Sequence, residues 1–436
     1  MCGIYFSNKR FKVNKKFKLR GPDYLSTHEH DSFHFSHSLL SLTGDFTPQP
    51  VTRDGVILMF NGQIYNYDRN RFKSDSYHLL YSYLKRKIGL LNFIDGEYAI
   101  LIYDSNISKV FFITDIFGTK PLYYSIEDGN ISVSSLRSTL ENNKSNLINK
   151  CKANTIYIYD LKDKSLSIDS NYYKFNLDQF KTNFKDWNSA FIKSIDKRFK
   201  KTKGKILLPL SSGLDSGAIA CALDTLKIQY YTYTFIKNEH RIIIFRRMLR
   251  RFLKEPFKTK IKLNYLSSIE RKYVEGKIRD DCDDFFYGNN TYNLSLNGTE
   301  DNGAQGLCYM LGKMKTLDND IKIIASGQGG DEIYSRDQSY TFGNPNPESF
   351  DSNLEKLFPW ENFFDGAQMS YLSKEESIGG GYGMETRYPF LDLSVVQEYL
   401  NLIPALKNKF NKSPIHNFLL ENQYPFYFTK KFGFNP

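Results

Sequence analysis

The chain has 436 residues, of which 41% are hydrophobic and 16% aromatic, so it can bury the cores of two domains and is not a disordered chain. Its formal net charge of +11 comes from basic residues spread along the sequence, without the interleaved aromatic residues of an RNA-binding surface, so we expect no nucleic-acid partner. Five cysteines without CxxC spacing predict neither zinc nor disulfides, and the lack of a long apolar run or leader segment predicts a cytoplasmic protein with no membrane contact.

The first 175 residues contain short β-branched and aromatic segments, bounded by turn pairs such as Asp128-Gly129. This pattern predicts an α+β domain, built as a two-layer β sandwich with a few helices. One of the predicted helices runs from Ser76 to Lys85.

Cys2 directly follows the initiator methionine. Removal of Met1, which a small second residue permits, would leave a thiol and a free α-amine on the same residue. These two groups can act together as a nucleophile and its base. Cys2 is therefore a candidate N-terminal nucleophile, although a cysteine at this position taken alone is also compatible with an inert residue, and the rest of the chain has to decide between the two.

Strand-like and helix-like segments alternate after Tyr173, and we place the boundary between two domains, 1–175 and 176–436, in this region. The predicted strands are 205–210, 230–235 and 321–325, and the predicted helices are 187–199, 217–226 and 241–253. This alternation predicts an α/β domain with a doubly wound parallel sheet, whose functional loops lie at the carboxyl ends of the strands.

A loop of small and hydroxyl residues follows the predicted strand at 205–210, and it comprises Ser211, Ser212, Gly213, Leu214, Asp215 and Ser216. Small residues let the backbone wrap an oxyanion, and the helix that follows presents N–H donors, so the loop predicts a phosphate site. Asp215 would repel a phosphate group unless a divalent cation lay between them, so the loop also predicts Mg²⁺.

A second loop, from Ser326 to Glu332, follows the apolar strand at 321–325 and contains Asp331. Two loops at strand ends can face each other across the switch point of a parallel sheet. We therefore expect Asp215 and Asp331 to form a shared Mg²⁺ pair.

Together with Cys2 and these loops, further motifs resemble the glutamine-dependent asparagine synthetase family, and they follow in the same order over nearly the whole chain. The first loop is similar to the pyrophosphate loop SGGxDS of ATP pyrophosphatases, with Ser212 at the position of its first glycine. The other similar stretches are Arg20 to Asp23 (RGPD), Asn61 to Asn66 (NGEIYN), Gly118 to Tyr124 (GxKPLYY), Met384 to Asp392 (LEVRVPFLD) and Lys431 to Pro436 (KxGFxxP).

For the first domain, the resemblance implies a class II glutamine amidotransferase. Cys2 would attack the carboxamide of glutamine, and Asn61 with the N–H of Gly62 would form the oxyanion hole. Gln63 would contribute to the glutamine site, and Asp95 would hold the α-ammonium group.

For the second domain, the resemblance implies an ATP-pyrophosphatase fold and an acyl-adenylate intermediate. The implied nucleotide and metal positions are the loop 211–216, Phe235 near the adenine, Ser326 and Gly327 near the nucleotide, and the Mg²⁺ ligands Asp215 and Asp331. Gln328 would lie at the acyl-adenylate site, and Lys431 would neutralise the leaving pyrophosphate.

Three positions depart from the family pattern. Leu39 stands where the family has an arginine that clamps the carboxylate of glutamine, a bidentate contact that a leucine cannot make. Arg53 is an alternative clamp. Gln63 replaces the glutamate of NGEIYN, and Gln328 replaces the glutamate of SGEGxDE and cannot act as a base.

The sequence therefore predicts an ATP-dependent ligase that uses glutamine nitrogen to convert a carboxylate to an amide, most simply aspartate to asparagine, with release of AMP and pyrophosphate. Two alternatives stay open. One is the same chemistry on another carboxylate, such as a uronic acid or a substrate closed to a lactam. The other is a degenerate member that only binds nucleotide or partners. Glutamine and aspartate are the expected partners, and an enzyme of this class could form a homodimer.

Overall fold

The structure is a computed structural model that describes residues 1–9, 13–140, 147–237, 239–252, 258–285, 299–336 and 347–427. The chain divides into two compact units. Unit 1 comprises Met1–Lys174, Arg279–Asp284 and Glu376–Met384, and unit 2 comprises Phe175–Ile278, Phe285–Glu375 and Glu385–Pro436.

Unit 1 includes two short segments that a single division at residue 175 does not account for. Buried polar contacts hold both segments in place. Glu376 Oε2 lies 3.1 Å from Nη2 of Arg20, and the carboxylate of Asp283 accepts the backbone N–H groups of Arg137 and Ser138 at 2.7 and 3.0 Å.

Unit 1 contains twelve strands among the described residues, all paired antiparallel in two sheets. The strands are β1 (Gly3–Ser7), β2 (Tyr24–His30), β3 (Phe33–Leu39), β4 (Val51–Arg53), β5 (Val56–Ile64), β6 (Gly96–Asp104), β7 (Lys109–Thr114), β8 (Tyr123–Glu127), β9 (Asn130–Ser134), β10 (Asn149–Lys150), β11 (Thr155–Asp160) and β12 (Ser165–Ser170). One sheet has the order β10-β8-β9-β1-β3-β2, and the other has the order β12-β11-β7-β6-β5-β4.

The two sheets pack face to face because alternate side chains of both form one apolar core. Ile4 of β1 and Met59 of β5 belong to this core, whereas Leu58 and Phe60 lie on the opposite face of β5. That outer face packs against the helix α2 (Asp75–Arg86), while α1 (Lys15–Arg20) contributes Phe17 to a cluster beside β1. The predicted β sandwich with helices is confirmed, and α2 agrees with the helix predicted at 76–85.

Unit 2 is built on a parallel sheet of five strands in the order β15-β14-β13-β16-β17. The strands are β13 (Lys205–Pro209), β14 (Tyr231–Phe235), β15 (Thr259–Lys262), β16 (Ile321–Ala325) and β17 (Glu385–Arg387). The chain builds outward from β13 to β15 and then returns to the other side of β13 with β16, which is the doubly wound arrangement predicted from the sequence.

The helices that follow α2 are α3 (Lys185–Phe199), α4 (Leu214–Thr225), α5 (Arg241–Phe252), α6 (Ser268–Asp281), α7 (Asn302–Leu317), α8 (Gly330–Tyr334), α9 (Glu361–Phe364), α10 (Gly366–Gly381), α11 (Leu393–Leu400), α12 (Pro404–Lys407) and α13 (Ser413–Glu421). The prediction for α4 was wrong at its start, which lies at Leu214 and not at Gly217. Gly213 is extended (φ −67°, ψ 168°) and serves as the N-cap, so the last residues of the predicted loop form the first helical turn.

No helix in the described part of the chain is long and apolar enough to cross a membrane.

Lys407 is a buried lysine whose hydrogen-bond acceptors carry no charge. Its Nζ donates to Oε1 of Gln179 and to the carbonyl oxygen of Leu400, both at 2.7 Å. Burial lowers the pKa of Lys407 from its ordinary value to about 7. The folded protein therefore releases this proton at a lower pH than the unfolded chain does.

We expect the free energy of unfolding of the wild-type protein to rise with pH, between about pH 7.5 and 9.5, relative to that of Lys407→Met. In this window the unfolded chain keeps the Lys407 proton and the folded chain loses it, so raising the pH favours folding, with a slope of up to about 1.4 kcal/mol per pH unit. Denaturant unfolding at a series of pH values measures the difference. Lys409→Met, which removes an exposed lysine, should keep the wild-type slope, and parallel curves for wild type and Lys407→Met would contradict the prediction.

Candidate active sites

Cys2 and Asn61 lie together at one end of the β sandwich of unit 1. Side chains alternate along a strand, so Cys2 continues the inward row of Ile4, and Asn61 continues that of Met59. The backbone N–H of Cys2 donates to Asn61 Oδ1 at 2.8 Å, and both residues are buried. With Met1 attached, this N–H occupies the position of the α-amine that processing would release.

The neighbourhood of Cys2 contains hydrogen-bond donors suited to an oxyanion. Asn61 Nδ2 is buried and forms no hydrogen bond within the described residues. Gly62 has a φ of +137°, a conformation that side-chain-bearing residues rarely adopt, and a Cβ atom there would collide with the carbonyl oxygen of Glu97. A buried amide without a partner beside a thiol can stabilise negative charge that would develop on a group attacked by that thiol.

A small pocket, partly open to solvent, lies beside Cys2. Its charged lining residues are two carboxylates, Asp45 and Asp75, and no arginine, lysine or histidine is among the described residues that line it. Leu39 forms part of the wall, and Gln63 Oε1 accepts a hydrogen bond from the hydroxyl of Thr43. The two aspartates of this pocket therefore favour the ammonium group of a ligand over its carboxylate.

Arg53 and Asp95, which the sequence predicts to bind glutamine, are not among the residues that line the pocket. Arg53 is mostly exposed, with its Nε 3.3 Å from Oδ2 of Asp54. Asp95 precedes β6, and its N–H donates to Oδ1 of Asn66 at 2.9 Å. His37 also brings no cation, because burial lowers its pKa to about 3 and keeps the imidazole neutral.

A buried network of two cations and two anions holds the backbone of Cys2. Arg20 Nε donates to the carbonyl oxygen of Cys2 at 2.9 Å, and Arg20 Nη2 contacts Glu376. Lys120 Nζ lies 2.8 Å from Glu376 Oε1 and 3.6 Å from Glu97 Oε2. All four charged side chains are almost fully buried, so each needs its partners and the network fixes the position of Cys2.

In unit 2, the loops that follow β13 and β16 lie against each other. These strands are neighbours, and the direction of winding changes between them, which makes this the switch point of the sheet. A Cβ atom added to Gly327 would lie 3.1 Å from Cβ of Asp215, and one added to Gly330 would lie 2.5 Å from Asp215 Oδ1. The second loop therefore needs glycine where it passes Asp215.

Lys412 contacts both carboxylates that the sequence predicts as a metal pair. Its Nζ lies 2.5 Å from Oδ2 of Asp215 and 2.9 Å from Oδ1 of Asp331. Burial alone would lower the pKa of Lys412. The charges of Asp215 and Asp331 outweigh this effect and raise the pKa above its ordinary value. The two aspartates thus lie together around a protein ammonium group.

The same carboxylate pair is chemically suited to Mg²⁺. This ion prefers hard oxygen ligands and usually takes one or two protein carboxylates, completing its shell with water and substrate phosphates. Within the described ranges, no group of three or more His, Cys, Asp and Glu side chains is placed to hold a metal ion. Asp215 and Asp331, which already surround one cationic nitrogen, stay the predicted protein ligands.

Glu332 supports the second loop from inside the protein. Gly329 donates its N–H to Glu332 Oε2 at 2.9 Å, and Trp360 Nε1–H donates to the Glu332 carbonyl oxygen at 2.8 Å. Burial, together with the adjacent carboxylate of Asp331, raises the pKa of Glu332 to about 7. This side chain therefore holds the loop close to the carboxylate pair.

The other predicted residues of this site have varied placements. Phe235 is buried at the end of β14. Ser326 follows β16, and its Oγ accepts the N–H of Gln328 at 3.0 Å. Lys431 lies outside the residues that the structure describes. The roles of these residues toward a nucleotide stay predictions.

Sequence reasoning missed two charged residues at the loops, Lys412 and Glu239. Lys412 is the N-cap of α13, in the left-handed conformation (φ 52°, ψ 44°). Lysine is a poor N-cap, and its charge is unfavourable beside the positive end of a helix dipole. The order Lys412-Ser413-Pro414 at a helix start therefore indicates that Lys412 is there for a reason other than capping the helix. Glu239, which accepts a hydrogen bond from the Ser212 N–H at 2.6 Å, carries no comparable signal.

Residues 1–181 match the glutamine amidotransferase domain family. The chain is 25% identical over 397 residues to the glutamine-hydrolysing asparagine synthetases of Mesocricetus auratus and Mus musculus, an overlap of 80% of this chain and 65% of each relative. It is 24% identical over 464 residues to the probable glutamine-hydrolysing asparagine synthetase of Schizosaccharomyces pombe, an overlap of 94% and 78%.

A solved structure of the allosteric regulatory enzyme of purine biosynthesis aligns with 41% of this chain and 46% of its own, at 15% identity and a TM-score of 0.28. The chain spans about two thirds of the length of its mammalian relatives. With a matching amidotransferase domain over residues 1–181 and similarity to these synthetases over most of its length, the chain resembles the glutamine-hydrolysing asparagine synthetases.

Proposed function

We propose that the protein is a glutamine-hydrolysing amide synthetase that activates a carboxylate with ATP as an acyl-adenylate, with aspartate as the simplest acceptor. The observation that carries the proposal is the contact between the Cys2 nitrogen and Asn61 Oδ1 beside the pocket of unit 1. A thiol, a releasable amine and an amide donor meet there, which is the set of groups that glutamine hydrolysis needs.

In the first half-reaction, Sγ of Cys2 attacks the carboxamide carbon of glutamine. The α-amine, freed by removal of Met1, takes the thiol proton and passes it to the leaving nitrogen, so that ammonia departs and a γ-glutamyl thioester remains. Asn61 Nδ2 and the N–H of Gly62 stabilise the oxyanion of each tetrahedral intermediate. Water then cleaves the thioester and releases glutamate.

The binding of glutamine would depend mainly on its ammonium group and its carboxamide. Asp45 and Asp75 are the charged residues that line the pocket, and they favour the α-ammonium group. Leu39 offers the α-carboxylate no hydrogen bond. Gln63 can donate from its amide, because its Oε1 accepts the hydroxyl of Thr43.

In the second half-reaction, an oxygen of the acceptor carboxylate attacks the α-phosphorus of ATP. Pyrophosphate leaves, and ammonia then attacks the acyl carbon of the adenylate to give the amide and AMP. Mg²⁺ held by Asp215 and Asp331 would neutralise charge on the phosphates. The N–H and hydroxyl groups of the loop 211–216 would bind the phosphate oxygens at the N-terminus of α4.

An assay with glutamine, ATP and MgCl₂ tests the proposal. We expect glutamate, AMP and pyrophosphate to form in equal amounts when aspartate is present, with asparagine as the amide product. If the protein turned over a uronic acid, or an amino acid that closes to a lactam, but not aspartate, the proposed reaction would stand with a different acceptor carboxylate. Absence of turnover with every acid tried, with ammonium chloride as well as with glutamine, would contradict the proposal.

A further inference from the structure

The phosphate-binding donors of Ser212 are already engaged by a carboxylate of the protein. Oε2 of Glu239 accepts the N–H of Ser212 at 2.6 Å and also its hydroxyl hydrogen. Both residues are buried. His240 donates its N–H to Ser212 Oγ at 3.1 Å, so the segment that precedes α5 closes over the loop.

The neighbouring N–H groups of the loop also have acceptors within the protein. The N–H of Ser211 donates to Ser216 Oγ, and the N–H of Gly213 donates to Ser211 Oγ, both at 3.1 Å. The acceptor at Ser212 is different in kind, because it is an anion and these are neutral hydroxyls. A carboxylate oxygen there takes the place that a phosphate oxygen would need, and two anions cannot share the same donors.

Arg247 holds the other side of the same peptide group. Its Nη1 donates to the carbonyl oxygens of Ser211 and Gly213 at 2.5 and 3.0 Å, and its Nε donates to that of Pro425 at 2.9 Å. In a trans peptide the carbonyl of Ser211 and the N–H of Ser212 point in opposite directions. Arg247 therefore fixes the direction in which the N–H of Ser212 points. In this structure Glu239 accepts that N–H, and a bound phosphate oxygen could accept it in the same orientation.

We propose that Glu239 is an internal anion that occupies the loop in the absence of nucleotide and has to be displaced when the phosphates of ATP bind, while Arg247 keeps the peptide in its binding orientation throughout. This inference rests on the proposed function, since it assumes that the loop 211–216 binds phosphate. Burial raises the pKa of Glu239, which is consistent with a carboxylate that is held in the loop at a cost in desolvation.

The test compares wild type with Glu239→Gln and Glu239→Ala by titration calorimetry, with ATP and with inorganic pyrophosphate in MgCl₂. Glu239→Gln keeps the shape of the side chain and an acceptor oxygen but removes the charge. We expect both variants to bind both probes about five- to tenfold more tightly than wild type, because the competing anion is gone. The exposed Glu355, replaced as Glu355→Gln, should leave the affinity unchanged.

Thermal unfolding of each variant shows that it is folded before it is titrated. Equal or weaker binding by folded Glu239→Gln would overturn the inference and make Glu239 a fixed part of the loop, while the proposed function would stand. Failure of wild type and of both variants to bind either probe would overturn the inference together with the proposed nucleotide site. Binding by the variants alone would support the inference.

Discussion

Cys2→Ala should lower glutamine-dependent amide synthesis by roughly 10³-fold or more, because it removes the nucleophile itself. The same protein should keep the rate that wild type shows with ammonium chloride. Ammonia supplied from solution replaces the product of the first half-reaction, and the loops around Asp215 and Asp331 belong to the other unit of the chain. Alanine is also small, so removal of Met1 should proceed as in wild type.

The measurement is glutamate release and amide formation, each with glutamine and with ammonium chloride. Cys151→Ala is a matched control, because Cys151 is a buried thiol in the sandwich core of the same unit. Cys151→Ala should keep its glutamine-dependent activity. Its free energy of unfolding should fall by about 1 kcal/mol, because core atoms are removed. Glutamine-dependent turnover by Cys2→Ala would exclude Cys2 as the nucleophile, and loss of both activities would indicate misfolding.

Short-range patterns made much of the fold predictable. Short β-branched and aromatic segments such as β5, bounded by turn residues, predicted the sandwich, and strand–helix alternation predicted the parallel sheet. The carboxyl ends of neighbouring strands meet at one edge of a parallel sheet, so the sequence alone predicts that Asp215 and Asp331 lie together. The structure does place both within reach of one nitrogen atom.

The contacts that the sequence could not predict join residues far apart in the chain. Arg20 contacts Glu376, which lies 356 positions later in the chain. The spacing of apolar and polar residues carries no information about a pairing at that separation. The contact between Glu239 and Ser212 was also not predictable. An acidic residue just before a helix is expected to interact with the positive end of the helix dipole, and nothing in the sequence indicates that it accepts a hydrogen bond from another loop. The start of α4 was missed because Leu214, Asp215 and Ser216 suit both a phosphate loop and a first helical turn.

Lys412→Met should destabilise the protein in EDTA by about 2–4 kcal/mol, since it removes the cation that Asp215 and Asp331 share. The side chains of Asp215 and Asp331 are about one fifth to one third exposed. Solvent therefore screens the interaction, and the loss of stability should be smaller than for a fully buried ion pair. Repulsion between the carboxylates should also make the variant respond more strongly to Mg²⁺ than wild type does, because a bound divalent cation can replace the lost ammonium charge.

Thermal or denaturant unfolding in EDTA and in a series of MgCl₂ concentrations measures both effects. A ligand that binds only the folded state adds about 1.4 kcal/mol at ten times its Kd, so a Kd of about 1 mM would be visible as a rising midpoint at about 10 mM MgCl₂. NaCl at matched ionic strength controls for screening, and Lys409→Met controls for the loss of a lysine nearby in the chain. An equal Mg²⁺ response in wild type and Lys412→Met would count against Asp215 and Asp331 as the metal pair, because a cation bound elsewhere would not sense the ammonium group that these two carboxylates hold.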